Sequence, residues 1–184
     1  MKNILVINGH QQYPSSEGRL NQLLFDNIVE FLAVKYDIET TVLSKGYIPE
    51  EEQDKYKWAD AVILQTPVFW YSVPGLFKTY IDRVYSAGVF FDLETSGSGN
   101  CGLFKGKKYM LSLTMGSTED VFGNPHSFLE GKTLDEIFIH LHKTHQFCGM
   151  DNLETFAVYD VMQNPNILEY IDQLHAHLKK VFYL

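Results

Sequence analysis

The chain has 184 residues, 45% of them hydrophobic, which is enough for a real core and argues against intrinsic disorder. Fifteen Lys and Arg stand against 23 Asp and Glu, a formal net charge of −8, which argues against a nucleic-acid binder. That charge does not exclude an anionic small molecule, because backbone N–H groups can hold one locally.

The first element is the apolar run Ile4-Leu5-Val6-Ile7, stopped by Asn8-Gly9, which reads as a buried strand of a parallel sheet. A polar loop over 10–18 follows, then Leu20, Leu23, Leu24, Ile28 and Phe31 at helical spacing predict an amphipathic helix over about 17–35. Residues 37–43 are half polar and predict an edge strand, and the acidic stretch 50–57 predicts a short helix. Ala61-Val62-Ile63-Leu64 predicts a third strand ending at Pro67, and a helix is expected over about 75–86. Residues 95–102 are flexible by composition. Lys107–Thr114 predicts a fourth strand, residues 133–147 a helix, Asn152–Val158 a fifth strand and residues 165–182 a last helix. Strand–helix alternation predicts an α/β fold with a parallel sheet and right-handed crossovers. Five strands fit the flavodoxin-like order 2-1-3-4-5 with helices on both faces. No repeat or linker interrupts the chain, so one domain is expected over 1–184.

Two cysteines, Cys101 and Cys148, form no CxxC pair, which reads as a reducing compartment. No apolar run reaches the roughly 18 residues of a membrane span. Four apolar residues after Lys2 are too few for a signal peptide, so a cytoplasmic protein without a membrane partner is expected.

In an open doubly wound sheet, ligands bind beyond the carboxyl ends of the strands. Three loops there are unusual. The first carries Ser15, Ser16, Gly18 and Asn21 at a helix start, a setting for a phosphate or for ordinary capping. It is neither GxGxxG nor GxxxxGK[ST], which disfavours a nicotinamide Rossmann site and a P-loop. The second is Thr66-Pro67-Val68-Phe69-Trp70-Tyr71-Ser72-Val73-Pro74-Gly75, three aromatics between prolines. They suit a stacked planar ligand, or else a hydrophobic staple under the sheet. The third, Thr114-Met115-Gly116-Ser117, lets backbone approach a ligand, or is a simple turn.

Other features carry less. His140, His142 and His145 cluster without an acid or Cys at a metal-ligand spacing, so no metal is expected and the histidines read as surface or interface groups. His175 and His177 fall on opposite sides of the last helix and read as solvated. Gly97-Ser98-Gly99 resembles part of a nucleophile elbow but follows no strand. Aromatics make up 14% of the chain, which suits a flat-ligand pocket, a dimer interface or simply an aromatic core. Phe90 and Phe91 read as exposed in a monomer.

The three loops resemble those of the flavodoxin-like NAD(P)H:quinone oxidoreductases, above all the bacterial modulator of drug activity B group, itself similar to DT-diaphorase. The resemblance covers nearly the whole chain. Its pieces are Ile4–Gly9, Ser16-Glu17-Gly18-Arg19-Leu20-Asn21, Trp58-Ala59-Asp60, Pro67–Trp70 with Pro74, Lys78–Val84, Gly106–Thr114 and Phe147-Cys148-Gly149-Met150, in order and at matching spacing. It implies bound FAD, a homodimer and two-electron reduction of quinones by NADPH. It implies diphosphate contacts from His10, Ser16, Gly18, Leu20 and Asn21. It implies ring contacts from Pro67, Val68, Phe69 and Trp70 and from Thr114, Met115 and Gly116. In the DT-diaphorase branch a Tyr and a His after the fourth strand serve hydride transfer. Here Phe122 falls about where the Tyr would be, and His126 is the one candidate catalytic side chain. A ping-pong cycle is expected, NADPH and quinone taking the same place in turn. Three alternatives stay open: an FMN-dependent azoreductase-like enzyme, a single-electron flavin carrier, and a regulatory module that has lost its flavin.

Overall fold

The computed structural model describes all residues except 15, 96, 98–100 and 184. Ser15, Ser98 and Gly99 of the features above therefore lie outside the described residues, as does half of the 95–102 stretch.

The elements run β1 (Asn3–Asn8), α1 (Arg19–Leu32), β2 (Asp37–Val42), α2 (Pro49–Trp58), β3 (Ala61–Pro67), α3 (Gly75–Val84) and β4 (Lys108–Thr114). They continue with α4 (Leu134–Ile137), α5 (Ile139–Phe147), β5 (Asp151–Asn152), β6 (Phe156–Val158) and α6 (Ile167–Phe182). The sheet is parallel in the order β2-β1-β3-β4-β5, with β6 also paired to β4. The half-polar β2 lies at the edge, as its composition predicts.

The alternation of strand side chains divides the interior in two. Ile4, Val6, Ala61, Ile63 and Met110 meet Leu24 and Ile28 of α1 and Leu174 and Leu178 of α6. Leu5, Ile7, Val62, Leu64 and Leu111 face the other way, onto Tyr56 of α2, Phe77 and Tyr80 of α3 and Leu141 of α5. Helices thus cover both faces.

Two predicted elements are broken. The single helix over 133–147 is interrupted at Phe138, which has φ −91° and ψ 18° and is fully buried. Thr133 and Glu136 form a reciprocal capping box at the start of the short α4. The fifth strand is split into β5 and β6, so the path has five positions but six segments. From Tyr109 to Ser112 β4 advances three residues while the edge chain, from Asn152 to Phe156, advances four. The extra residue interrupts the ladder like a bulge, a common way of closing an edge to further pairing.

Four histidines and two phenylalanines are more enclosed than their surroundings in sequence suggest. His142 and His145 are core residues, not surface ones, at 4% and 0% exposure. His142 bonds the Tyr109 hydroxyl through Nδ1 at 2.8 Å, with Nε2 3.2 Å from Asp135. His175 and His177 are half-buried and not solvated: His175 stacks on Phe31 at 4.4 Å between ring centres, and His177 Nε2 lies 3.0 Å from the Glu154 carbonyl. Phe90 is fully buried against Tyr56, Tyr85 and Phe104, and Phe91 is half-buried beside Phe147.

Candidate functional site

Beneath the carboxyl ends of the strands runs a row of polar side chains. Asn8, Gln65 and Ser112 are register partners across β1, β3 and β4. The Ser112 hydroxyl donates to Gln65 Oε1 at 2.6 Å, Gln65 Nε2 donates to Asn21 Oδ1 at 3.0 Å, and Asn21 Nδ2 donates to Asn8 Oδ1 at 2.8 Å. Asn8 Nδ2 donates onward to Gln22 Oε1 at 2.9 Å. All are buried except Gln22, and because every member is paired the row rigidifies the site instead of destabilising the core. It fixes the first turn of α1 to three strand ends. The sequence signal for this row is a polar residue at the end of two apolar runs (Asn8, Gln65) and inside a third (Ser112), a pattern the loop-centred reading passes over.

Above this row the chain turns back on itself. Tyr13 and Ser16 exchange backbone hydrogen bonds of 3.1 and 2.9 Å, and α1 begins after Gly18. Gly18 is left-handed, at φ 76°, and α1 has neither a side-chain cap nor an acidic residue in its first turn. Ser16 therefore does not cap the helix. The helix start keeps N–H groups that α1 itself leaves without partners.

The loop after β3 is a hairpin. Phe69 and Ser72 exchange backbone hydrogen bonds of 2.9 and 3.1 Å, and both central residues, Trp70 and Tyr71, have positive φ, at 53° and 56°. That is a type I′ turn, a conformation that ordinarily asks for Asn-Gly. Trp70 at its tip is 97% exposed, so the run is no staple under the sheet. Tyr71 holds the turn from one side, its hydroxyl 3.1 Å from Ser117 Oγ and its ring edge-on to Phe128. Phe69 meets Tyr13 edge-on at 5.3 Å, joining the first loop to the second. The N–H groups of Val68 and Phe69 are committed to Thr114 and Ser72, and that of Met115 to Val158.

Together these loops border a cleft of about 1530 Å³. Ser16, Gly18, Leu20 and Asn21 line one part of it; Pro67, Val68, Phe69, Trp70, Thr114, Met115 and Gly116 line another. Two of the sequence-predicted residues are placed elsewhere. His10 is buried behind the first loop, its Nε2 3.2 Å from the Ser16 carbonyl, and a Cβ on Gly18 would lie 2.4–2.5 Å from its ring. It props the loop and does not line the cleft. His126 is exposed beyond the cleft's lining, its N–H donating to Asn124 Oδ1. Asn21 lines the cleft, but its side-chain amide is spent on Asn8 and Gln65, so only its backbone is left for a ligand. Sequence reasoning missed Tyr13, Val161 and Met162, which complete the walls. Met162 follows β6, 70% exposed, and a Cβ on Gly116 would come within 3.3 Å of its Cγ. The signal for it is the close approach that Gly116 permits.

NADPH:quinone oxidoreductase MdaB of Haemophilus influenzae is 38% identical over 190 residues, spanning 98% of this chain and 99% of the relative. A proposed quinone reductase from Klebsiella pneumoniae superposes with a TM-score of 0.82 over 99% of this chain and 85% of its own, at 21% identity. General stress protein 14 of Treponema denticola, in complex with FMN, superposes with a TM-score of 0.76 over 100% and 99% of the two chains, at 16% identity. The two superpositions speak for the fold, and the family model described as a flavodoxin-like fold matches residues 2–181. With a full-length relative at 38% identity beside that match, the chain belongs to the flavodoxin-like family.

Proposed function

We propose that the chain is a flavin-dependent NAD(P)H:quinone oxidoreductase that holds FAD in this cleft and reduces quinones by two electrons at the expense of NADPH. The observation that carries this reading is one cleft with two chemically different ends. At one, the uncapped start of α1 and left-handed Gly18 offer backbone N–H groups to an anion. At the other, Phe69 and Trp70 offer rings to a planar group. The volume of about 1530 Å³ exceeds the ~300–1,000 Å³ of a drug-sized site, which favours a dinucleotide over a mononucleotide. The likeness to the Haemophilus influenzae NADPH:quinone oxidoreductase supports the choice of donor and acceptor.

When bound, a flavin supplies a ring that takes a hydride from a nicotinamide and passes one to a quinone. The residues' task is to hold and orient. Ser16, Gly18, Leu20 and Asn21 would seat the diphosphate by backbone groups. Pro67–Trp70 and Thr114–Gly116 would bracket the ring, and Met162 would exclude water from its edge. With one cleft for donor and acceptor the two must alternate, a ping-pong order. His126 lies outside the cleft's lining, so no proton relay is assigned to it. Two free cysteines suit a reducing cytoplasm.

The test is release and identification of the flavin from purified protein, followed by initial rates with NADPH and menadione. FAD and parallel double-reciprocal lines are expected. Released FMN with azo-dye reduction would favour the azoreductase-like reading, for which the FMN-bound Treponema denticola neighbour speaks. Bound flavin without turnover would indicate an electron carrier, and colourless protein a regulatory module.

A further inference from the structure

We propose that Met162 is the wall that sets how wide an acceptor the ring end of the cleft takes, and that the strained turn at Asp160 holds it there. The proposal rests on the quinone reductase reading above and adds to it a specificity residue.

Met162 is 70% exposed, yet it lines the cleft together with Thr114, Met115 and Gly116. An apolar side chain left this open gains little from burial. Its place is set by its backbone. The Asp160 N–H donates to the Ser117 carbonyl at 3.0 Å, and the Val161 N–H to the Met115 carbonyl at 3.2 Å. These two bonds straddle Gly116 and bring the next residue, Met162, onto it. A Cβ on Gly116 would lie 3.3 Å from Met162 Cγ and 3.9 Å from Met162 Cβ. Gly116 is not left-handed, so its backbone does not require glycine. What the missing side chain provides is space, and Met162 takes it.

Asp160 is strained to the same end. Its φ of 52° is left-handed, a region that a residue other than glycine seldom takes. Asn164 holds it there: its N–H donates to the Asp160 carbonyl at 3.2 Å, and its Nδ2 donates to Asp160 Oδ2 at 2.7 Å. Strain kept up by dedicated bonds beside a cleft points to a use for the conformation it enforces. Here that conformation turns the chain after β6 across Gly116 and delivers Met162 to the cleft. A thioether donates no hydrogen bond, so the wall sorts acceptors by breadth and not by polarity. Its unbranched chain can yield to a broad acceptor, at a cost in binding. A single-ring quinone passes this wall, whereas a three-ring quinone has to displace it.

The test uses the purified full chain with the cofactor it carries, and urea midpoints as a folding control. One readout is the ratio of kcat/KM for phenanthrenequinone, with three rings, to kcat/KM for duroquinone, with one, both with NADPH as donor. The other is calorimetric binding of anthracenesulfonate, a three-ring compound with no quinone to reduce. Met162→Ala should raise the kcat/KM ratio about tenfold, the scale on which an apolar pocket discriminates by size. It should also tighten anthracenesulfonate binding. Met162→Leu, of similar volume, should leave both readouts within about twofold of wild type. Asn164→Ala should move both in the direction of Met162→Ala, with Met162 itself intact. Either readout unchanged in Met162→Ala overturns the wall. A Leu variant that behaves like the Ala variant overturns sorting by breadth. An Asn164→Ala variant that matches wild type overturns the holding role of the Asp160 turn. Wild-type chain that reduces neither quinone overturns the quinone reductase reading itself, and this proposal with it.

Discussion

Gly18 answers two constraints that no other side chain meets together. Its φ of 76° is left-handed, and the space a Cβ would take is filled by the His10 imidazole. Gly18→Ala should therefore cost about 1–2 kcal/mol of stability from the backbone alone. It should also push His10 off the Ser16 carbonyl and lower flavin affinity. Adding His10→Ala should restore the space but not the φ, so in urea melts the double variant should recover only part of the loss. His145 poses a different residue-scale problem. Its ring is fully buried, stacked on Tyr109 at 4.5 Å, with Nδ1 2.7 Å from the Leu141 carbonyl and Nε2 without a partner among the described residues. Burial pulls its pKa down to about 4, the Leu141 carbonyl opposing and His142 adding to the shift. Below the ordinary value of 6.5 the unfolded chain takes up a proton that the folded chain refuses. Stability should thus be full above pH 6.5 and fall as pH drops toward 4, by up to about 3 kcal/mol. His177, also lowered by burial, contributes in the same direction. His145→Phe should keep the stacking and remove the orphaned nitrogen. Its urea midpoint should match wild type at pH 7.5 and exceed it at pH 5; identical pH slopes would show that another group carries the effect.

At the scale of the elements, the turn of Trp70 and Tyr71 is strained where the site needs it. Each residue holds a left-handed conformation at a cost of roughly 1–2 kcal/mol. Tyr71 is held by Ser117 and Phe128, whereas Trp70 is 97% exposed and gains little from the fold. Trp70→Asn should raise the thermal stability of the isolated chain, by about 1 kcal/mol, because Asn tolerates the conformation and no packing within the chain is lost. The same change should weaken flavin retention, separating stability from function; equal retention would make the turn a structural feature only. The strands, their order and the three cleft-lining loops were legible in the sequence because apolar period and Gly/Pro stops are local signals. What was not legible is non-local. The break at Phe138 comes from burial of that ring, and the split of the fifth strand from one residue too many opposite β4. The roles of His10 and Asn21 depend on what lies behind them, Gly18 for one and the Asn8–Gln65–Ser112 row for the other. A residue list can place both near a phosphate, but it cannot tell a prop from a contact.

On the scale of the whole molecule, the aromatic surplus is divided between core and rim. Phe90, Tyr56, Tyr80 and Tyr109 are fully buried, so the Phe90–Phe91 stretch gives no reason for a second subunit. The reason lies at the cleft. Trp70, Phe128 and Met162 are 97%, 65% and 70% exposed, and Tyr13 is 39% exposed. Trp70, Met162 and Tyr13 line the cleft, while Phe128 abuts the turn through Tyr71. Aromatic and Met side chains gathered at a cleft mouth are the composition of an interface core. A second copy of the chain seated there would cover this rim and close the ring end of the cleft against water, which strengthens every polar contact inside it. Sedimentation at micromolar concentration should give a species of twice the 21.2 kDa chain mass. Phe128→Ser should shift it toward monomer, since a truncated aromatic anchor typically costs about 2 kcal/mol or more at an interface. Flavin retention should fall with the dimer, although Phe128 does not line the cleft itself. A fully active 21.2 kDa monomer would sink the dimer, because the cleft would then complete its chemistry with the rim open to solvent.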